Sequence, residues 1–124
     1  MVGELSLISV VDDDESVRES LPDLLREFGF AARAFSSAVE FLTSCHIEHT
    51  RCLILDIAMP QMSGPELQQE LSRRQKKIPI IYITAQGDPA VRQRMIEQGA
   101  VECLFKPFSD SSLLDALNLA LRAG

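Results

Sequence analysis

The chain has 124 residues, of which 46% are hydrophobic and 24% are charged, and its net charge is −6 at pH 7. This length suits a single domain with one core, its apolar runs are shorter than the roughly 18 residues of a membrane span, and no secretory signal opens it. Because nonspecific nucleic-acid affinity comes from Lys and Arg, the acidic balance argues against direct nucleic-acid binding, and we expect one cytoplasmic domain over residues 1–124.

A strand followed by an amphipathic helix opens the chain. Leu5 to Val11 is rich in β-forming residues and ends in four consecutive acids, residues 12–15. Apolar side chains then recur at three- and four-residue steps from about Ser16 to Phe28, which predicts a helix with one buried face. Gly29 is suited to end this helix. Pro22 removes a backbone donor inside it, so we expect a kink in the preceding turn.

The third strand supplies the most informative carboxylate. Phe30 to Phe35 predicts the second strand, and Ser37 to Glu40 has the capping-box spacing that opens a helix. The stretch from Arg51 to Pro60 contains a continuous apolar run, residues 52–55, that ends in one acid, Asp56, and Pro60 rules out simple helical continuation. Asp56 should therefore lie at the carboxyl end of a buried strand, although an acid there can also be an ordinary first loop residue.

Cysteine usage is consistent with a reducing compartment. The three cysteines form no Cys-x-x-Cys pair, and their odd number does not suit a disulfide framework. Cys45, His46, His49 and Cys52 cluster in sequence and could hold zinc, but their spacing matches no standard finger. We favour a solvated loop beside a buried strand cysteine.

The second half of the chain continues the alternation of strands and helices. Ser63 to Glu66 repeats the capping pattern, and Pro79 to Ile83 predicts a fourth strand that stops at Thr84. Asp88 and Pro89 open a fourth helix that Gly99 ends, Val101 to Phe105 forms the fifth strand, and Ser109 or Asp110 opens the last helix. Five strands alternating with five helices predict a doubly wound α/β fold with a parallel sheet.

Polar side chains at four strand ends should converge on one rim of this sheet, where such folds bind ligands. They are Asp12, Asp13, Asp56, Thr84 and Lys106. Clustered carboxylates favour Mg²⁺, and with a hydroxyl and an ammonium they describe a phosphoryl-transfer site in which Asp56 is the nucleophile. The alternatives are that Lys106 pairs with an acid, that Thr84 caps a turn, and that the acid run is a solvated helix start.

The order of these motifs resembles the receiver domains of response regulators, which have a CheY-like fold, over nearly the whole chain. The motifs are Val11-Asp12-Asp13-Asp14, Asp56-x-x-Met59-Pro60-x-x-Ser63-Gly64, Thr84-Ala85 and Lys106-Pro107-Phe108. The fourth-strand and fifth-strand endings are most similar to FixJ-type receivers of two-component systems. The resemblance implies the strand order 2-1-3-4-5 and five helices.

The resemblance also implies roles for individual residues. A sensor histidine kinase would phosphorylate Asp56, and a cis peptide before Pro107 would orient Lys106 toward Asp56. The implied Mg²⁺ ligands are Asp13, Asp56, the Ala58 carbonyl oxygen and, through water, Asp12. Homodimerisation through the fourth helix, fifth strand and fifth helix and a C-terminal helix-turn-helix output domain outside this chain are further expectations.

Cys103 departs from the family pattern. Receivers commonly carry Phe, Tyr or His three residues before the strand-five lysine, and that ring moves inward when the threonine moves toward the phosphoryl group. A small thiol cannot fill the same volume, so we expect Thr84 and its loop to carry the switch and dimerisation to be weak. Alternatively, Cys103 is simply a small buried hydrophobic residue and switching runs through loop movement alone, an interpretation that we favour over a redox role for the thiol.

Other functions remain open at this stage. A stand-alone receiver or a phosphorelay intermediate would need no output domain. A haloacid-dehalogenase-like Mg²⁺-dependent phosphatase would need a second aspartate where this chain has Ala58. A flavodoxin-like binding module would need a phosphate-binding loop after the first strand, where acids would repel a phosphate.

Overall fold

The computed structural model describes residues 5–123, which form a five-stranded parallel sheet covered by helices. The doubly wound α/β fold is confirmed. The strands are β1 (Leu7–Val11), β2 (Ala31–Phe35), β3 (Thr50–Asp56), β4 (Ile80–Thr84) and β5 (Glu102–Phe105). The α-helices are α1 (Glu15–Glu27), α2 (Ala38–Leu42), α3 (Gly64–Arg73), α4 (Pro89–Glu97) and α5 (Asp110–Ala123).

The strand order is β2-β1-β3-β4-β5, as the resemblance implied. Helices α1 and α5 cover one face of the sheet, and α2, α3 and α4 cover the other. On the first face the core includes Leu21, Leu25, Leu113, Leu117, Ile54 and Ile81. On the second face it includes Phe41, Leu67, Leu71, Met95, Leu55 and Tyr82. Because apolar helices bury both faces, the strands read as apolar runs without alternation.

Most helix boundaries follow from their capping residues. The Ser63 hydroxyl accepts from the Glu66 amide while the Glu66 carboxylate accepts from the Ser63 amide, which is the predicted capping box. Gly29 has φ +98° after α1. Its amide and the next amide donate to carbonyl oxygens of the last helical turn, an arrangement that favours glycine. At α5, Ser109 is the capping acceptor and Asp110 is the first helical residue.

The remaining differences are local. β1 begins at Leu7, two residues later than expected, and a 3₁₀ turn at Cys45–Glu48 occupies part of the predicted loop before β3. Helix α1 is continuous through Pro22, which is buried, and the expected kink stays a prediction. None of the helices within residues 5–123 combines the length and the apolar character needed to cross a membrane.

The possible zinc cluster is not formed. Cys52 is buried in the core between the sheet and helices α1 and α5, whereas the His46 ring lies 6.1 Å from the Phe35 ring on the opposite face. Cys45 is exposed. Within the described part of the chain, the carboxylates of Asp12, Asp13 and Asp56 are the only group of three or more candidate metal ligands.

Candidate functional site

Three carboxylates meet at the carboxyl end of the sheet. Asp12 and Asp13 follow β1 and Asp56 ends β3, and each offers an oxygen within 4.8 Å of the others. Asp12 and Asp56 are buried and Asp13 is exposed. β1 and β3 are hydrogen-bonded neighbours, so the two strand ends deliver their acids side by side. The cluster therefore opens to solvent on the side of Asp13.

Asp12 is the most firmly held of the three acids. Its amide donates to the Phe35 carbonyl oxygen at 3.1 Å, and its Oδ1 accepts from the Asp14 amide at 2.9 Å. Its Oδ2 accepts from Lys106 Nζ at 2.9 Å, and its carbonyl oxygen accepts from Arg18 Nη1 at 3.0 Å. Asp12 thus has the fixed geometry of a structural anchor, while its side chain remains part of the acidic cluster.

Lys106 reaches the cluster from β5, and its hydrogen bond is to Asp12. The Lys106–Pro107 bond is cis, the isomer that the resemblance implied, and the ammonium donates to Asp12 next to Asp56. Partial burial lowers the pKa of Lys106, and the hydrogen bond to Asp12 with the charges of Asp12 and Asp56 outweighs it, so that this pKa lies above its usual value. Lys106 is therefore a firmly charged ammonium.

The environment of Lys106 favours its charged form, whereas that of Asp56 disfavours its charged form. The pKa of Asp56 is raised to about 7: burial is the largest cause, the neighbouring Asp12 and Asp13 carboxylates also raise this pKa, and the Lys106 ammonium lowers it. One ammonium offsets only part of the charge of three acids. A hard divalent cation with oxygen ligands would neutralise the remainder, and an open cluster with few protein ligands and room for water suits Mg²⁺. The donor set therefore fits this ion.

Thr84 and Ala58 lie on the loops that border the cluster. Thr84 ends β4, is 5% exposed, and its Oγ1 accepts from the Gln86 amide at 3.1 Å. This contact is the turn-capping role that the sequence left open, and the hydroxyl proton is still able to donate to another acceptor. Ala58 is exposed in the loop, two residues after Asp56.

Gly64 closes the loop that follows β3. Its amide donates to the Ile57 carbonyl oxygen at 2.9 Å. A Cβ on Gly64 would lie 2.5 Å from the Asp56 carbonyl oxygen and 2.8 Å from Tyr82 Cε1. Tyr82 is in turn fixed because its hydroxyl donates to Gln68 Oε1 on α3 at 2.6 Å. The first turn of α3 thus packs directly on the backbone that carries Asp56.

Cys103 was identified in the sequence, whereas two other residues near the site, Phe105 and Arg18, were missed. Cys103 is 2% exposed and packs in the core under α3 and α4, and burial raises the pKa of its thiol. Phe105 lies on the same side of β5, is half-buried against that core, pairs in register with Thr84, and places its ring 3.9 Å from a Cβ built on Gly87. Strand alternation could have identified Phe105. The second, Arg18, gave no comparable signal because its partner is a backbone carbonyl.

Comparisons with known proteins agree with this geometry. Residues 8–118 match the family described as "Response regulator receiver domain". Response regulator protein TodT of Pseudomonas putida is 40% identical over 122 residues, which cover 98% of this chain and 54% of that protein. Nodulation protein W of Bradyrhizobium diazoefficiens is 46% identical over 112 residues, or 90% of this chain and 49% of the relative. The chain thus spans about half the length of these curated relatives.

Solved structures show the same similarity. The crystal structure of FixJ-N superposes with a TM-score of 0.83 at 35% identity and covers 98% of this chain and 96% of that one. The structure of response regulator StyR gives a TM-score of 0.86 at 45% identity, with 96% of this chain and 60% of that one covered.

Proposed function

This chain belongs to the response regulator receiver domain family, and from that premise we propose that Asp56 accepts a phosphoryl group from a phosphohistidine of a sensor histidine kinase. The observation that carries the proposal is the cluster of three carboxylates within 4.8 Å at the carboxyl end of the sheet, beside the Lys106 ammonium. This arrangement offers one nucleophilic oxygen, a cation-binding surface and a fixed positive charge.

The transfer is an in-line displacement at phosphorus. A carboxylate oxygen of Asp56 forms the new O–P bond, the N–P bond of the phosphohistidine breaks, and the imidazole nitrogen leaves with the electron pair. Asp13, Asp56, the Ala58 carbonyl oxygen and, through water, Asp12 would hold Mg²⁺. When bound there, this ion neutralises the charge that develops on the transferring phosphoryl group.

Lys106 and Thr84 would detect the product. Phosphorylation adds acceptor oxygens and negative charge at the end of β3. The Lys106 ammonium and the Thr84 hydroxyl lie at neighbouring strand ends, where they can bind these oxygens. The Lys106 ammonium, now bonded to Asp12, would exchange this partner for the phosphoryl group, and Thr84 would donate to a phosphoryl oxygen. Thr84 ends the strand that leads into α4, and Lys106 directly follows β5, so their movement would alter the surface of α4, β5 and α5.

We further propose that this domain is the N-terminal part of a longer cytoplasmic regulator and controls transcription. Relatives named transcriptional regulatory proteins, such as FixJ of Rhizobium meliloti, are 37% identical, and the chain covers 55% of that relative. A C-terminal helix-turn-helix output domain and a homodimer formed by the α4, β5 and α5 surface belong to this proposal. The role is signalling, with Asp56 phosphorylated and dephosphorylated, rather than turnover of a substrate.

Phosphorylation by a small phosphodonor tests the function. The parent, incubated with acetyl phosphate and Mg²⁺, should gain one phosphoryl group by intact-protein mass spectrometry, and a chelator should abolish the gain. Asp56→Asn should gain none. Asp115→Asn, which changes an exposed acid on α5, is the matched control and should be labelled like the parent. Full labelling of Asp56→Asn at the parental rate would disprove the assignment.

A further inference from the structure

Arg18 contacts the backbone of the acidic cluster from the first turns of α1. Its Nη1 donates to the Asp12 carbonyl oxygen at 3.0 Å, and the side chain is half-buried. That carbonyl oxygen belongs to the peptide unit that joins Asp12 to Asp13. The guanidinium therefore fixes the orientation of the peptide plane that precedes the Cα atom of Asp13.

Asp13 depends on this backbone more than its neighbours do. The Asp12 carboxylate is fixed by the Asp14 amide and by Lys106, and Asp56 is 8% exposed at the end of a central strand. Asp13 is exposed on the loop that joins β1 to α1. The peptide units on either side of Asp13, one of which Arg18 holds, therefore set where its Cα–Cβ bond points and so where its carboxylate can reach.

We propose that Arg18 is a positioning residue for the divalent-cation site, which orients the Asp13 carboxylate by fixing the Asp12–Asp13 peptide. The inference rests on the proposed function, in which Asp13 is a metal ligand. Residues that hold ligands in place commonly change metal affinity by about 10-fold to 100-fold when they are removed.

The charge of Arg18 makes the proposal sharply testable. A guanidinium beside a cation site repels the incoming ion, so removal of its charge alone should strengthen Mg²⁺ binding. Loss of positioning should weaken it. The two effects have opposite signs, and the measured direction decides between them.

The experiment measures Mg²⁺ affinity of the intact chain by calorimetry and by amide chemical shifts. Arg18→Met removes the charge and the hydrogen bond, whereas Arg18→Lys keeps the charge and loses the guanidinium geometry. We expect Mg²⁺ to bind about 10-fold more weakly to Arg18→Lys, and more weakly by a smaller factor to Arg18→Met, because loss of the charge offsets part of the effect. The Asp13 amide resonance should also shift in the metal-free protein.

Arg26 provides a matched control on the same helix. Its Nη2 donates to the Ala32 carbonyl oxygen at 3.1 Å, at the end of α1 that is remote from the site. Arg26→Met removes the same charge and the same kind of contact, and should leave Mg²⁺ affinity unchanged even where it lowers the melting temperature. A purely structural role of Arg18 would likewise lower the melting temperature without changing Mg²⁺ affinity.

Parental or tighter Mg²⁺ binding by Arg18→Met would overturn the inference, and so would parental affinity in a folded Arg18→Lys. Failure of the proposed function looks different, because the parent itself would then not be phosphorylated at Asp56. If the parent is labelled and both Arg18 variants bind Mg²⁺ normally, only the role of Arg18 is wrong.

Discussion

Polar groups are buried toward both ends of the central sheet, but the two ends treat them differently. Toward the amino end of β3, the Ser9 and Thr50 hydroxyls bond to each other at 2.7 Å, and Thr50 also donates to the His46 carbonyl oxygen at 2.7 Å. At the carboxyl end, three carboxylates share one ammonium. The hydroxyl pair is neutral and complete, whereas the acidic cluster retains excess negative charge.

The neutral pair stabilises the fold, whereas the acidic cluster is suited to binding a ligand. A satisfied pair of neutral groups adds to the specificity of the fold and needs nothing from outside it. A partly compensated cluster of acids destabilises the metal-free protein, and a bound cation or added partner relieves that repulsion. The carboxyl end is thus the end at which a bound cation would change the stability of the protein, because its charges are incompletely paired.

The largest effect on stability is expected for Lys106→Ala. Asp12 is fully buried and Lys106 is partly exposed, so loss of this charged hydrogen bond should lower the free energy of unfolding by about 2 kcal/mol in chelator. Mg²⁺ should restore part of this loss, since it supplies positive charge to the same cluster. Denaturant titrations with and without Mg²⁺ measure both values.

Lys77→Ala, which removes an exposed lysine, is the control and should change little. Equal stability of Lys106→Ala and the parent in chelator would show that the ion pair with Asp12 has no net energetic role. On phosphorylation, Lys106→Ala should also lose amide shift changes that the parent shows in α4.

Asp56→Asn should have an effect of opposite sign. The amide removes a buried charge that burial and the Asp12 and Asp13 carboxylates disfavour, so the metal-free variant should be more stable than the parent by about 1–2 kcal/mol at pH 8. The variant should also gain less stability from Mg²⁺. Thermal unfolding in chelator measures the difference, and a less stable variant would contradict the repulsion described for this end of the sheet.

Thr50→Val tests the neutral end. The substitution keeps the shape of the side chain but leaves the buried Ser9 hydroxyl and the His46 carbonyl oxygen without this partner, which should destabilise the protein by about 1–2 kcal/mol. Labelling of Asp56 by acetyl phosphate should proceed at the parental rate. A large change in that rate in the folded variant would show that the two ends are coupled.

The smallest effect is expected for Phe105→Leu. The Phe105 ring lies beside Gly87 in the loop that joins Thr84 to α4, so a smaller side chain should reduce phosphorylation-dependent amide shift changes in α4. Cys103→Ala is the matched control, and should behave like the parent if Cys103 is only a small buried hydrophobic residue. Unchanged shifts in Phe105→Leu would indicate that the ring does not contribute to the response.

The sequence predicts the fold well because each signal is local. Apolar runs, capping boxes and helix-ending glycines act within a few residues, and strand alternation with helices restricts the topology. Local signals fail where the backbone adopts a conformation that the residue type at that position does not indicate. Gln75 has φ +62° after α3, a position where glycine is the usual indicator.

The sequence predicts which residues form the site better than it predicts which of them contact one another. Strand ends identify Asp12, Asp56 and Lys106 without any knowledge of side-chain direction. The choice of Lys106 between two carboxylates depends on distances of a few ångströms, and the contact of Arg18 depends on a backbone carbonyl that every residue carries. Neither of these two contacts can be predicted from the pattern of residue types.

Gly64 has a consequence for how far this sequence can diverge. Even the single methyl group of alanine at residue 64 would enter the space of the Asp56 carbonyl oxygen, so every codon change that alters this residue forces the first turn of α3 or the end of β3 to shift. Gly29 differs, since nothing lies within 4 Å of its Cβ position and only its positive φ disfavours side chains. In a library randomised at both positions and selected for phosphorylated protein, residue 29 should accept asparagine, whereas residue 64 should return glycine alone.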